Sequence, residues 1–332
     1  VAQLAGVSTA TVSRVLANPN QVRPKTHKVV MEAVRSSGYT PNSTARNLRT
    51  RRTMNVLVVA PRLTNPVFAQ VLRGVDDELT QSGYGIIVAN LDNRTEREVR
   101  YVDLVLSRQV DGVLLMNGRI PQNSKRSMAD AGLPMVAMCS AIPGGVIPNI
   151  IVQDREASRT AAEYLGQLGH RSFGYISGLP GTYIETERFN GFLDGLASIG
   201  SSDKVVRWEG PFMFSTGVSA AEAFLRMKKR PTGIFAACDE SAIGFIKTVR
   251  SSGIRVPDDV SVIGFDGIEF ASYTEPTLTT FQQPLHEIGR TGALTLLKMI
   301  QGEKGPKNQD VRLPLQLLER GTTASAPAKT RG

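Results

Sequence analysis

The sequence predicts an α/β chain: a small N-terminal helix-turn-helix followed by two doubly wound α/β halves in series. Three observations predict it. Residues 5–14 carry a turn-and-helix signature, short apolar runs alternate with helical stretches from residue 54 onward, and positive charge is gathered at the N-terminus.

The first signature is Ala5-Gly6-Val7-Ser8-Thr9-Ala10-Thr11-Val12-Ser13-Arg14. Gly6 offers the positive φ that a sharp inter-helix turn needs. Ser8 is placed to cap a helix over 9–16, its hydroxyl accepting from a free backbone N–H. Val12, Val15 and Leu16 fall on one apolar stripe, and Thr9, Ala10, Ser13 and Arg14 share the opposite face. Such a helix suits either an ordinary amphipathic packing role or a place in a DNA major groove. A helix ending over residues 1–5 precedes it, its start read as lying upstream of Val1. Residues 17–21 form a turn cluster. A third helix begins near Pro24, a favoured first helical residue, and stops at Gly38.

Charge separates the two readings. Residues 1–53 hold nine Lys/Arg and one acid, Glu32, whereas the other 279 residues hold 30 bases and 29 acids. Solvating charge would be spread along the chain. A basic module on a nearly neutral body is the electrostatic footprint of phosphate binding. Nucleic acid becomes the expected partner. Residues 42–53 are short, basic and nearly without apolar side chains except Ala45 and Leu48. They read as a flexible linker or as a hinge that turns helical only on DNA, with Leu48 as a wedge between base steps.

From residue 54 the texture changes. Strands are expected over 56–60, 86–90, 112–116, 135–138, 150–152, 173–176, 205–208, 234–237, 260–265, 278–282 and 311–318. Helices fall between them over 67–81, 95–107, 124–131, 155–168, 186–199, 215–228, 240–252 and 286–301. The strands are short apolar runs without alternation, as parallel sheets covered on both faces require. Residues 142–149 are irregular, and 322–332, rich in Ala, Thr and Pro, are expected to be disordered.

Ligands of open parallel sheets bind at the carboxyl ends of strands. Asn65 and Phe68 follow the first strand, Asn117 the third, and Asp239 and Asp266 two later ones. Asn and Asp at such junctions also serve as caps, Asp239 foremost. Arg188, at the opening of a helix, presents a fork of donors suited to hydroxyl oxygens, which Asp266 complements as an acceptor. Phe68 and Phe212 are placed to cover the apolar faces of a ribose or hexose. An Arg188–Asp266 pair that merely holds its lobe together remains the competing reading.

Other classes fit less well. The apolar content of 41% supports real cores, and no apolar run approaches the ~20 residues of a membrane span. No signal peptide is read at the start. Cys139 and Cys238 lie apart, and with His27, His170 and His286 they form no metal-ligand spacing. They read as buried thiols of a cytoplasmic protein. Neither G-x-G-x-x-G nor a P-loop appears, and no nucleophile elbow supports an enzyme.

Taken together, Ala5-Gly6-Val7-Ser8-x-x-Thr11-Val12-Ser13-Arg14, Gly38-Tyr39-x-Pro41-Asn42-x-x-Ala45-Arg46-x-Leu48, Asp111-Gly112-Val113, Leu168-Gly169-His170-Arg171, Arg188-x-x-Gly191-Phe192, Val256-Pro257-x-Asp259 through Asp266, and Gln283-Pro284-x-x-x-Ile288-Gly289 resemble the lactose-repressor (LacI/GalR) family of bacterial transcription regulators. The resemblance covers essentially the whole chain. It implies a cytoplasmic homodimeric repressor without catalytic activity, cofactor or membrane association, bound to a pseudo-palindromic operator. It places Thr9, Ala10 and Arg14 at base edges, Ser8, Thr11, Ser13, Asn18 and Thr26 on the DNA backbone, and Leu48 with Arg49 in the minor groove. The implied domains are a DNA-binding unit 1–41, a hinge 42–53 and a periplasmic-binding-protein-like effector body 54–321. One lobe takes 54–152 and 284–308 and the other 155–282 and 311–321, with crossings near 152–155, 282–284 and 308–311. A sugar or nucleoside between the lobes would alter their angle and hence operator affinity. The family usually reads Asp-Asn where this chain has Gln153-Asp154, so a ligand contact there does not carry over. The tail lacks the leucine heptads of a tetramer. A sugar-binding transport-type protein shares the two-lobed body and is the alternative.

Overall fold

The computed structural model describes residues 1–17, 21–39, 52–92, 94–145, 147–201, 205–303 and 310–327. The chain divides into two compact units, Val1–Thr53 and Met54–Gly332. In the first, α1 (Ala2–Ala5), α2 (Thr9–Ala17) and α3 (Pro24–Ser37) surround one small core. Ala5, Val12, Val15, Val30 and Ala33 are its buried residues. Gly6 ends α1 at φ 61°, the left-handed turn that a side chain would resist, and the Ser8 hydroxyl accepts from Thr11 N–H at 3.1 Å. Asn18, Leu48 and Arg49, with residues 42–51 of the hinge expected over 42–53, lie outside the described residues.

The second unit carries two six-stranded sheets among the described residues. The first consists of β1 (Asn55–Ala60), β2 (Gly85–Asn90), β3 (Gly112–Leu115), β4 (Met135–Met138), β5 (Asn149–Val152) and β11 (Val311–Leu313), in the order β11-β5-β4-β3-β1-β2. All its pairings are parallel. The second holds β6 (Phe173–Ile176), β7 (Val205–Trp208), β8 (Gly233–Ala236), β9 (Ser261–Asp266), β10 (Thr279–Gln282) and β12 (Gln316–Leu318), ordered β12-β10-β9-β8-β6-β7. Only the β10/β12 pair is antiparallel among the described pairings of this sheet.

Helices cover both faces of each sheet, which is why the strands are mostly apolar. The first sheet lies between α4 (Pro66–Gln81) with α10 (Leu285–Ile300) on one side and α5 (Glu98–Leu106) on the other. The second lies between α6 (Asp154–Gln167) with α7 (Tyr183–Ser198) and α8 (Phe214–Arg226) with α9 (Asp239–Ser251). All six residues of β9 are buried. The chain crosses between lobes at Gln153, after β10, and after β11.

Three expectations are corrected. The strand expected over 311–318 is two strands in different sheets, because Pro314 has no N–H to continue a ladder. The third crossing therefore lies at 314–315 instead of 308–311, and residues 311–313 belong to the first lobe. The helix expected over 124–131 is a short turn, Met128–Ala131, behind a Gln122–Ser127 bridge. There the Asn123 side chain accepts from the N–H groups of Lys125 and Arg126, which competes with helical bonding. Residues 322–327 of the tail are ordered, and 328–332 lie outside the described residues. Fully buried Thr322 donates to the Val262 carbonyl at 2.7 Å and accepts from Thr279 N–H at 2.8 Å, and Ala326 N–H reaches Leu168 at 2.7 Å. Composition does not show such side-chain stitching, which a polar Thr makes possible.

Candidate functional site

The first candidate surface belongs to the N-terminal unit. Because α2 turns Val12 and Val15 inward, Thr9, Ala10, Ser13 and Arg14 face solvent, with Ser8 exposed at the helix start. Thr11 is half-buried, its hydroxyl 2.9 Å from that of Ser8. Arg23, Lys25 and Lys28 are exposed around the start of α3, and half-buried Thr26 lies in its first turn. The lone acid of this unit, Glu32, pairs with Arg35 at 2.7 Å. Among the described residues, the bases near α2 and the start of α3 thus have no local acid to neutralise them.

The second candidate site is formed where the strands of both sheets deliver their carboxyl ends. Arg188 is its centre, 4% exposed on α7. Its Nε donates to Asp154 Oδ1 at 2.8 Å, and Nη1 to the Ala237 carbonyl at 2.5 Å. Asp266 Oδ1 stands 3.6 Å from Nη1. The guanidinium lies 3.6 Å from the Phe265 ring centre and 5.7 Å from that of Phe212, so aromatic faces flank it. Burial works against its charge, but Asp154 and Asp266 outweigh burial and hold the proton on.

Asp266 ends β9 at φ 122°, a backbone conformation that costs a non-glycine residue about 1–3 kcal/mol. Gln283, at the second crossing, fixes it twice: Gln283 Nε2 donates to Oδ1 at 2.7 Å and Gln283 N–H to the Asp266 carbonyl at 3.1 Å. Burial pushes the Asp266 carboxyl up to about 7, against the pull of Arg188 and Gln283. Burial also raises Asp154, whose Oδ2 has no partner among the described residues. Opposite them, Cys139 follows β4; burial, with Asp154 and Asp266 nearby, pushes its thiol up to about 12.

Asn117, at the end of β3, is half-buried, and both amide atoms are enclosed without a partner among the described residues. An unsatisfied amide costs about 1–3 kcal/mol, so it waits for a donor and an acceptor. Phe212 is half-buried against Gly178, where an added Cβ would stand 1.9 Å from the ring.

The other expected ligand residues are spent elsewhere. Asn65 caps α4, its side chain accepting from Val67 N–H at 2.9 Å, and Phe68 is buried in the first lobe's core. Asp239 is a correction twice over. It is not the cap of α9, a place taken by Cys238, whose sulfur accepts from Ser241 N–H. Nor is it open to a ligand: fully buried, it accepts from Thr280 Oγ1 at 2.5 Å and Ile268 N–H at 2.9 Å, and burial followed by Asp266 raises it well above the usual carboxylate range. Sequence reasoning missed Asp154 as the main partner of Arg188, although Gln153-Asp154 stood out as a departure. It also missed Gln283, which the quoted Gln283-Pro284 motif contained.

Among the described residues, no helix is long and apolar enough to cross a membrane, and no cluster of His, Cys, Asp or Glu could hold a metal. A helix-turn-helix with a basic exposed face, joined to two doubly wound lobes with a polar site at their strand ends, defines a DNA-binding regulator with a ligand-binding body.

Comparison with known proteins agrees. The family model of bacterial regulatory proteins of the lacI family matches residues 1–42, and that of the periplasmic binding protein-like domain matches residues 162–323. The HTH-type transcriptional repressor CytR of Escherichia coli (strain K12) is 32% identical over 98% of this chain and 96% of its own length. The lac repressor dimer bound to operator and the anti-inducer ONPF matches with a TM-score of 0.75 or better, namely 0.85, at 27% identity over 97% of each chain. A CelR–cellobiose complex matches with a TM-score of 0.75 at 29% identity, covering 97% of this chain and 98% of that one. The chain belongs to the LacI family. It is a transcriptional regulator, not an enzyme, and the transport-protein alternative is not favoured, since the N-terminal unit is itself a regulatory DNA-binding module.

Proposed function

We propose that this chain is a homodimeric repressor whose grip on a pseudo-palindromic operator is set by a small polyhydroxylated ligand, a sugar or nucleoside, held between its lobes. In this reading Ser8, Thr9, Ala10, Thr11, Ser13, Arg14 and Thr26 contact DNA, with Arg14 reading base edges. Arg188, Asp266, Asn117 and Phe212 contact the ligand. The single observation that carries the ligand reading is unfinished polarity at the strand ends: both amide atoms of Asn117 lack a partner among the described residues, and a charged Arg188 is flanked by aromatic rings. A carboxylate acceptor, a guanidinium donor and an amide that is both suit vicinal hydroxyls, and an aromatic face suits a sugar or base ring. The cellobiose bound to the solved relative CelR supports a carbohydrate-like ligand.

A thermal-shift screen of cytidine, adenosine, ribose and cellobiose tests it, because a ligand of the folded state raises the melting temperature. A hit should also change operator affinity in a mobility-shift assay. A panel without any shift in the native chain, or a shift that survives Arg188→Ala with Asp266→Asn, overturns the site.

A further inference from the structure

Arg62 follows β1 in the first lobe, yet two of its three side-chain partners belong to the second. Its Nη1 donates to Thr64 Oγ1 at 3.1 Å. Its Nη2 donates to the Phe212 carbonyl at 3.1 Å and to Glu240 Oε2 at 2.6 Å. The Glu240 side chain, in the first turn of α9, is 7% exposed, and that of Arg62 is 16% exposed. A carboxylate so enclosed has little water to replace a lost partner. Phe212 is one of the rings flanking Arg188, and its loop is anchored from both sides. Thr216 Oγ1 donates to the Pro211 carbonyl at 2.5 Å within the second lobe, and Arg62 holds the next carbonyl from the first. Beside it, Val67 of the first lobe packs against the apolar clusters of both.

We infer that Arg62 is a positioning residue for ligand closure: one guanidinium ties the Phe212 loop and the start of α9 to the first lobe, so the cleft is shut when both bonds are made. This rests on the reading of the cleft as a ligand site. The planar fork matters, since a point charge on a flexible stem does not hold a carbonyl and a carboxylate in one fixed geometry. Opening the lobes strips Glu240 of its countercharge, and Glu240 already acts on Asp266 from its own lobe. A ligand gripped by Arg188 and Asn117 and the Arg62 bonds therefore favour the same closed arrangement, and each reports on the other.

The test uses the full chain with spin labels at Arg100→Cys and Glu222→Cys, exposed positions on α5 and α8, diluted with unlabelled chain. In the ligand-free protein, Arg62→Ala and Glu240→Gln should each broaden the inter-lobe distance distribution and shift it away from the native one. Combining the two should broaden it no further than Arg62→Ala alone, because both act through the same tie, whereas independent destabilisation would add. With cytidine and ribose as probes, dissociation from Arg62→Ala should be on the order of tenfold faster, with association nearly unchanged. Native distances in both single variants overturn the inference. Survival of probe binding in Arg188→Ala with Asp266→Asn instead overturns the ligand-site reading, so the two failures are distinguishable.

Discussion

Arg188 donates to Asp154 at 2.8 Å but stands 3.6 Å from Asp266, so its structural partner and the companion proposed for it toward a ligand are different carboxylates. This divides the two roles that one Arg–Asp pair would have to share. Arg188→Ala leaves Asp154 buried, with neither oxygen paired by a cation, and should destabilise the protein by about 3–5 kcal/mol. Adding Asp154→Asn should recover part of that loss by removing the stranded charge. Urea denaturation of the single and double variants checks both statements, and equal stability of Arg188→Ala and native protein contradicts them.

Asp266 makes the protein's stability depend on pH in an unusual direction. Its folded carboxyl titrates near 7, above the ordinary 3.8, so between those values the folded state holds a proton that the unfolded state has released. Its contribution is complete below about pH 4 and is lost as pH rises through 7. Raised Asp154 and Asp239 act in the same direction. His170, which burial pulls below its ordinary value, acts in the opposite one and favours folding as pH rises. Asp266→Asn isolates the first effect. The variant should gain stability relative to native protein from pH 5 to pH 8 in denaturant titrations, and a constant difference across that range contradicts the assignment.

The alternation of apolar runs made both lobes legible, because parallel strands covered on two faces leave an uninterrupted apolar signature. Gly6, Ser8 and Val12 likewise announced the turn and helix that they build. What stayed hidden depends on distant side chains. Asp154 meets Arg188 from 34 positions away, and Thr322 enters the core across 60 positions to reach Val262. Asp239 illustrates the opposite error. A polar residue at a strand end reads as open to the crevice, but its oxygens are spent on Thr280 and the backbone beyond Asp266. The split of 311–318 was foreshadowed by Pro314, whose meaning is local, while the choice of sheet for each half is not.

Gly178 sets the position of the Phe212 ring, which the proposed ligand site uses. A Cβ here would stand 1.9 Å from the ring's far edge, which can swing away, so Gly178→Ala should cost only about 1–3 kcal/mol in stability. The ring's displacement from above Arg188 should nevertheless weaken cytidine or ribose binding severalfold in calorimetry. Operator binding by the ligand-free variant should stay native in a mobility-shift assay. Undiminished probe binding contradicts the placement of Phe212 over the ligand.

On the N-terminal unit, Arg14 and Thr26 should separate specificity from affinity. Arg14 is exposed on the face of α2 opposite Val12 and Val15, where a guanidinium can reach two acceptors on one guanine edge. Arg14→Ala should cost about 1–3 kcal/mol on the preferred operator and relax selection at one position in each half-site. Thr26, half-buried at the start of α3 between exposed Lys25 and Lys28, is placed for phosphate, which carries no sequence information. Thr26→Ala should therefore weaken all duplexes alike and leave the selected consensus unchanged. Selection from a randomised duplex library, run with native protein and both variants at one salt concentration, reads the difference. An unaltered consensus with Arg14→Ala, together with an altered one for Thr26→Ala, reverses the two roles, and α2 is then not the helix in the groove.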